Sequence, residues 1–174
     1  VVLTTYATLG GTAPSGWTFA GWSTTETGTS VSTVNSVILT DGASVTNLTS
    51  TNGATVKLYA VFKRNIVFKS GANAGTTNAT LEQRYNPYKT TGYITAVTSP
   101  SSLTAITSWT AAGWRNDGAA GEATLALNTS VTPAYNATAL TYYGAYTKTI
   151  NVYSGVSKAT NNSQTQYLNT NGKR

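Results

Sequence analysis

The chain has 174 residues, of which 9% are charged, with a net charge of +6 and no histidine, cysteine or methionine. Lacking histidine and cysteine, it offers no Ser-His or Cys-His nucleophile pair, none of the commonest zinc sites and no disulfide staple. Its solubility must come from the hydroxyls and amides of a Thr-, Ser- and Asn-rich surface, a composition that argues against a cytoplasmic protein and for an extracellular one.

Short runs rich in Val, Ile, Thr, Tyr and Phe, bounded by Gly, Asn, Ser and Pro, predict strands throughout and a mainly β fold. The first landmark is residues 17–23, WTFAGWS, with Trp17 and Trp22 either side of Gly21. Residues 31–39 admit one or two helical turns. Asn52-Gly53 suits a tight hairpin turn, because both residues accept positive φ. Residues 56–68, VKLYAVFKRNIVF, hold the strongest strand pattern: Leu58, Ala60 and Phe62 share a face, and Ile66 and Phe68 resume it after the polar Lys63, Arg64 and Asn65. That polar break predicts a domain boundary. The charges at Lys57, Lys63, Arg64 and Lys69 read as guards of exposed strand edges. A nucleic-acid partner is not expected, since no recognition helix accompanies them.

The second half repeats the first. Residues 109–115, WTAAGWR, restate the first landmark with Trp109, Gly113 and Trp114, displaced by 92 positions. Residues 142–146 (YYGAY, with Tyr143 and Tyr146) answer 58–62 (LYAVF, with Tyr59 and Phe62), and 150–155 (INVYSG) answer 66–71 (IVFKSG), both displaced by 84. Gln83 to Gly92 and Gln166 to Gly172 form a third, looser pair. An eight-residue difference between landmarks is the mark of an indel in a surface loop.

In these residues the sequence resembles the Listeria–Bacteroides repeat family, the B-repeat type of internalin-like bacterial surface proteins. Gly16, Trp17, Thr18, Phe19, Ala20, Gly21 and Trp22 follow its central aromatic-glycine block, Glu26 to Thr29 its Thr-Gly stretch, and Leu58 to Phe62 its closing strand. The second copy departs further, with Ala111 in place of the aromatic at Phe19. The resemblance implies small β-grasp-like or sandwich-like modules in tandem, circularly permuted relative to the chain ends, and a stalk or adhesive spacer with no catalytic residues. The expected domains are 1–64, a repeat without its opening strand; 65–148, a second repeat; and 149–174, the opening strands of a further one.

Only Glu26, Asp41, Glu82, Asp117 and Glu122 remain for acid–base work, and a glycosidase would need two of them across a cleft. The chain is therefore read as a non-enzyme with no cofactor or metal. Asn116, Asp117, Gly118 and Glu122 read as a surface turn, not a calcium loop. The sequons at Asn47, Asn78, Asn128, Asn136 and Asn161 permit glycosylation. At least one tryptophan of each pair is expected in a core, with a sugar-stacking platform as the other use of these rings.

Methionine is absent even from the first position, and no signal peptide or apolar span is visible, so the chain is expected to begin after a processing event or in the middle of a longer polypeptide, with any export signal or anchor outside it and no membrane insertion in this segment. A first unit without its opening strand and a tail that carries one suggest two arrangements: an arbitrary window on a repeat array, or donation of the tail to the next molecule in a head-to-tail, pilus-like filament. The assembly candidates are Ile150, Val152, Tyr153, Tyr167 and Leu168. Gly172-Lys173-Arg174 is compatible with trypsin-like processing. The alternative function is a module of a bacterial adhesin that binds glycans or host surfaces.

Overall fold

A computed structural model describes residues 1–88, 92–154 and 160–171. The third landmark's Lys89, and Gly155, Gly172, Lys173 and Arg174, lie outside the described residues. The fold is mainly β, and the described residues contain a single 3-10 turn, Ala72–Ala74, and no α-helix.

Residues 31–39 correct the helical expectation. They form a hairpin of β2 (Thr33–Val34) and β3 (Val37–Ile38), with Asn35 at φ 47° and Ser36 at φ 65° in its turn. Two left-handed residues match the twist of a two-residue hairpin, and the β-branched residues on either side favour strand over helix. Asn52-Gly53 does turn, with Gly53 at φ 75° and the Ala54 N–H donating to the Thr51 carbonyl at 3.3 Å. The next strand begins only at Tyr59, so the turn closes no tight hairpin.

The polar run at 63–65 does not interrupt its strand. β4 is continuous over Tyr59–Ser70, because Lys63 and Asn65 face solvent while Arg64 between them is buried, which keeps the alternation. β4 is a sheet neighbour of β5 (Thr76–Asn86).

The chain divides into two compact units: Val1–Asn65 with Glu82–Ala96 and Thr132–Thr138, and Ile66–Leu81 with Val97–Val131 and Ala139–Arg174. Strands β4 and β5 contribute residues to both.

In the first unit β1 (Thr18–Ser23) runs antiparallel to β4, with Trp22 opposite Ala60, Gly21 opposite Val61 and Thr18 opposite Lys63, and a bulge between Phe19 and Gly21. The bulge brings the Trp22 N–H to the Leu39 carbonyl at 2.8 Å. Gly21 sits at φ 147°, where a Cβ would lie 2.7 Å from that same oxygen, so only glycine fits. Trp22, Leu39 and Val45 form the core, with Leu3, Tyr6, Phe19 and Leu58 packed on it. Tyr6 stacks on Phe19 at 4.5 Å. At the far end of β5, Tyr85 and Asn86 pair with β6 (Tyr93–Ile94).

In the second unit β8 (Thr110–Arg115) runs antiparallel to β10 (Thr141–Ser154), with Trp114 opposite Gly144, Gly113 opposite Ala145 and Thr110 opposite Thr147. The Trp114 N–H reaches the Leu125 carbonyl at 2.8 Å, and Gly113 has φ 144°. Val67, Phe68 and Lys69 of β4 lie parallel to Thr141, Tyr142 and Tyr143 of β10. β7 (Val97–Thr98) pairs with β9 (Ser130–Val131), and β11 (Thr160–Asn169) with the later part of β10. Ile66, Phe68, Val97, Trp114 and Tyr142 form this core.

Candidate functional site

The two units differ most in what covers the strand positions that the sequence pairs across 84 residues. In the first unit the covered position is Arg64. Its guanidinium uses all five N–H donors: Nε to the Gln83 side-chain oxygen at 2.8 Å, Nη1 to the carbonyls of Tyr135 and Ala137 at 2.9 and 3.2 Å, and Nη2 to those of Pro133 and Ala134 at 3.2 and 2.6 Å. The guanidinium carbon lies 4.2 Å from the Trp17 ring centroid, and the Trp17 Nε1–H donates to the Tyr135 carbonyl at 2.8 Å. Gln83 is itself held by the carbonyls of Thr95 and Pro133, both at 3.0 Å. Burial pulls the Arg64 pKa below its ordinary value. Oriented carbonyl dipoles and a π face meet the charge here, so Arg64 anchors residues 133–137 in the first unit. This removes Arg64 from the surface cluster of Lys57, Lys63 and Lys69. Lys63 in turn pairs with Glu82 at 3.5 Å.

The four tryptophans occupy three kinds of place. Trp17, Trp22 and Trp114 are buried, and Trp109 is half-buried. Trp17 caps Arg64 and contacts Tyr85 at 5.4 Å, while Trp22 lies in the core. Trp114 meets Phe68 edge-on at 5.1 Å. Trp109 lines a pocket of about 330 Å³ with Ile106, Leu168, Asn169 and Thr170. Of the other landmarks, Tyr59 is buried against Tyr88 at 4.5 Å, Phe62 and Tyr146 are buried, and Tyr143 is half-buried. The Tyr146 hydroxyl donates to the Thr104 carbonyl at 2.6 Å and accepts from the Gly71 N–H at 3.1 Å.

The assembly candidates separate into two groups. Ile150, Val152 and Tyr153 are 41%, 51% and 54% exposed, whereas Leu168 is buried and Tyr167 half-buried. Leu168 and Tyr167 stand opposite Tyr146 and Thr147 in the β10–β11 ladder, and the Tyr167 hydroxyl reaches Glu122 at 3.3 Å, so this end of β11 belongs to its own unit. The exposed group continues β10 past the point where β8 stops, at Thr147.

Across the first unit, residues 57–60 and 86–88 line a groove of about 460 Å³. Lys57 and Leu58 precede the first paired residue of β4 and belong to no strand. Asn86, also in the lining, donates to the carbonyls of Glu26 and Gly28 at 3.2 and 2.7 Å, which ties the Thr-Gly stretch to the end of β5.

The acids have separate neighbours. Asp41 accepts from the Tyr6 N–H at 2.7 Å, and Glu82 bonds Arg84 at 2.6 Å. Asp117 accepts from the Nε and Nη2 of Arg115 and from the Ala119 N–H at 3.1 Å. These bonds, with Arg115 foremost, hold the Asp117 pKa down at about 2. Residues 115–119 thus form a braced turn.

The sequence placed Arg64 among exposed edge charges and Gln83 at the head of a repeat landmark; the structure instead buries both, bonded to each other. The signal was present: Arg64 lies at even spacing from Phe62, Ile66 and Phe68, on the inward face of one strand. No helix among the described residues is long and apolar enough to cross a membrane. No family model, curated protein or solved structure matches the chain.

Proposed function

We propose that this chain is a non-enzymatic structural segment of an extracellular surface filament, stalk or adhesin of the Listeria–Bacteroides repeat kind. In this reading it is built from tandem, permuted β modules that join head to tail by strand complementation. The observation that carries the reading is the equality of two strand registers. Trp22 opposite Ala60 and Trp114 opposite Gly144 are joined by the same displacements, 92 and 84, as the sequence landmarks, and so are Thr18 opposite Lys63 and Thr110 opposite Thr147. Each pair carries its bulge at the same place, and each Trp N–H reaches a leucine carbonyl. A blueprint used twice, with most of its repeated aromatics spent on cores, fits a protein selected for mechanical continuity.

The second reading, a glycan- or host-surface-binding module, has one observation in its favour: Trp109 is half-buried beside Asn73, Asn169 and Thr170, an apolar face with polar groups at its rim. A glycan array probed with the chain and with Trp109→Ala decides between the two. The structural reading expects no specific ligand on either. Specific binding that disappears in Trp109→Ala overturns it in favour of recognition.

A further inference from the structure

We infer that residues 151–153 of one copy of this chain seat as a parallel strand on residues 57–59 of a second copy, with Asn151 opposite Lys57, Val152 opposite Leu58 and Tyr153 opposite Tyr59. The inference rests on the strand-complementation part of the proposed function and adds to it the partner, the strand direction and the register.

The register comes from the second unit. There β4 lies parallel to β10 through Val67 opposite Thr141, Phe68 opposite Tyr142 and Lys69 opposite Tyr143. The Val67 N–H donates to the Leu140 carbonyl at 2.9 Å. Phe68 stacks on Tyr142 at 5.0 Å and meets Trp114 at 5.1 Å. A displacement of 84 converts 67–69 into 151–153 and 141–143 into 57–59. The displacement is not a free choice, since the antiparallel ladders of β1 with β4 and of β8 with β10 both obey it.

The two strands so related have opposite exposures. Ile66 and Phe68 are 0% exposed, while Ile150 and Val152, on the same alternating face, are 41% and 51% exposed. β11 pairs with residues 150–154 along one edge of this strand, and an apolar strand face left in water is a surface that a strand added at the other edge would cover. The acceptor is open at the matching place. Lys57 and Leu58 belong to no strand, and the groove of about 460 Å³ lies beside them. Leu58 and Trp22, which belong to one core cluster, then meet Val152 as Tyr142 and Trp114 meet Phe68. Asn151 would donate its N–H to the Val56 carbonyl, as Val67 does to Leu140.

Backbone ladder bonds supply the attraction and the alternating side chains the register, as in other strand-addition contacts. Because donor and acceptor are different surfaces, the contact is heterologous and continues from copy to copy. Val152 and Leu58 are smaller than Phe68 and Tyr142, so the contact is reversible and concentration-dependent.

The test uses sedimentation velocity of the 174-residue chain over a range of concentrations, with Val152→Lys and Leu58→Lys separately and mixed. The wild type should gain mass with concentration and each variant alone should stay monomeric. Their mixture should give a dimer and nothing larger, because only one sound groove and one sound strand remain. The mixture asks of Leu58→Lys only its tail, so any loosening of its first unit leaves the readout intact. A mixture that stays monomeric while the wild type associates overturns the strand seat alone. A wild type that stays monomeric at every concentration overturns the complementation reading with it. The register is read in this cysteine-free chain by mild oxidation of Leu58→Cys mixed with Val152→Cys. This pair should cross-link about tenfold faster than Leu58→Cys with Ile150→Cys, since proximity sets the rate. The reverse order overturns the register and leaves assembly standing.

Discussion

Arg64 in β4 and Lys148 in β10 stand 84 residues apart, each two places beyond a buried aromatic, Phe62 and Tyr146, and they differ in how far they are covered. Arg64 is 6% exposed under five hydrogen bonds and a tryptophan ring, whereas Lys148 is exposed. Their neighbours differ in the same way: Trp17 is buried and Trp109 half-buried, Gln83 buried and Gln166 exposed. The difference teaches that a cation at one strand position becomes an anchor or a solvated tip according to whether a distant segment arrives over it. For Arg64 that segment is 133–137, which groups with the first unit although it lies far along the chain. Arginine suits the anchor because its planar fork satisfies several carbonyls at once, and lysine suits the open position because its ammonium keeps its water.

The contrast breaks most visibly at these two residues. Arg64→Met should destabilise the chain by about 3 kcal/mol in urea unfolding, because four carbonyls and Gln83 lose buried donors, while Lys148→Met should stay within about 0.5 kcal/mol of wild type. Equal effects would remove the distinction between anchor and tip.

Next come the two apolar strands. Ile66→Ala should cost about 2–4 kcal/mol through the cavity it leaves beside Phe68 and Trp114, and Ile150→Ala less than about 0.5 kcal/mol in dilute solution. At concentrations where copies associate, the second variant should weaken association while leaving monomer unfolding unchanged.

The smallest effect concerns the turns that follow Trp22 and Trp114. In the first unit the Ser23 hydroxyl accepts from the Thr25 N–H at 3.1 Å, while in the second Arg115 clamps Asp117. The Asp117 pKa of about 2 lies below its unfolded value, so the clamp's contribution is present above the unfolded pKa of roughly 4 and disappears as pH falls through about 2. The Asp117 carboxyl carbon, followed by NMR, should therefore titrate near pH 2, and Arg115→Gln should move that midpoint upward. An unmoved midpoint would show that Arg115 is not the cause.

Much of the local design was legible. Period-two alternation in 56–68 marked β4, and the two Trp-x4-Trp blocks marked β1 and β8 as corresponding strands down to their glycines. The turn at Asn35-Ser36 was not legible, because Val and Ile around it satisfy helical and strand spacing equally over so short a run. The polar triplet 63–65 is no break in the strand, since its phase puts Lys63 and Asn65 outward and Arg64 in, although the two compact units do divide between Asn65 and Ile66.

By itself the sequence determined what repeats, which residues alternate, and which chemistries are missing, since these depend on neighbours a few positions apart and on residue types. The tertiary structure alone decided which of two equivalent positions is covered. That Arg64 is anchored and Lys148 is not, or that Phe68 is buried and Val152 is not, follows from the arrival of segments scores of residues away. Burial is a property of those encounters, and no local pattern encodes it.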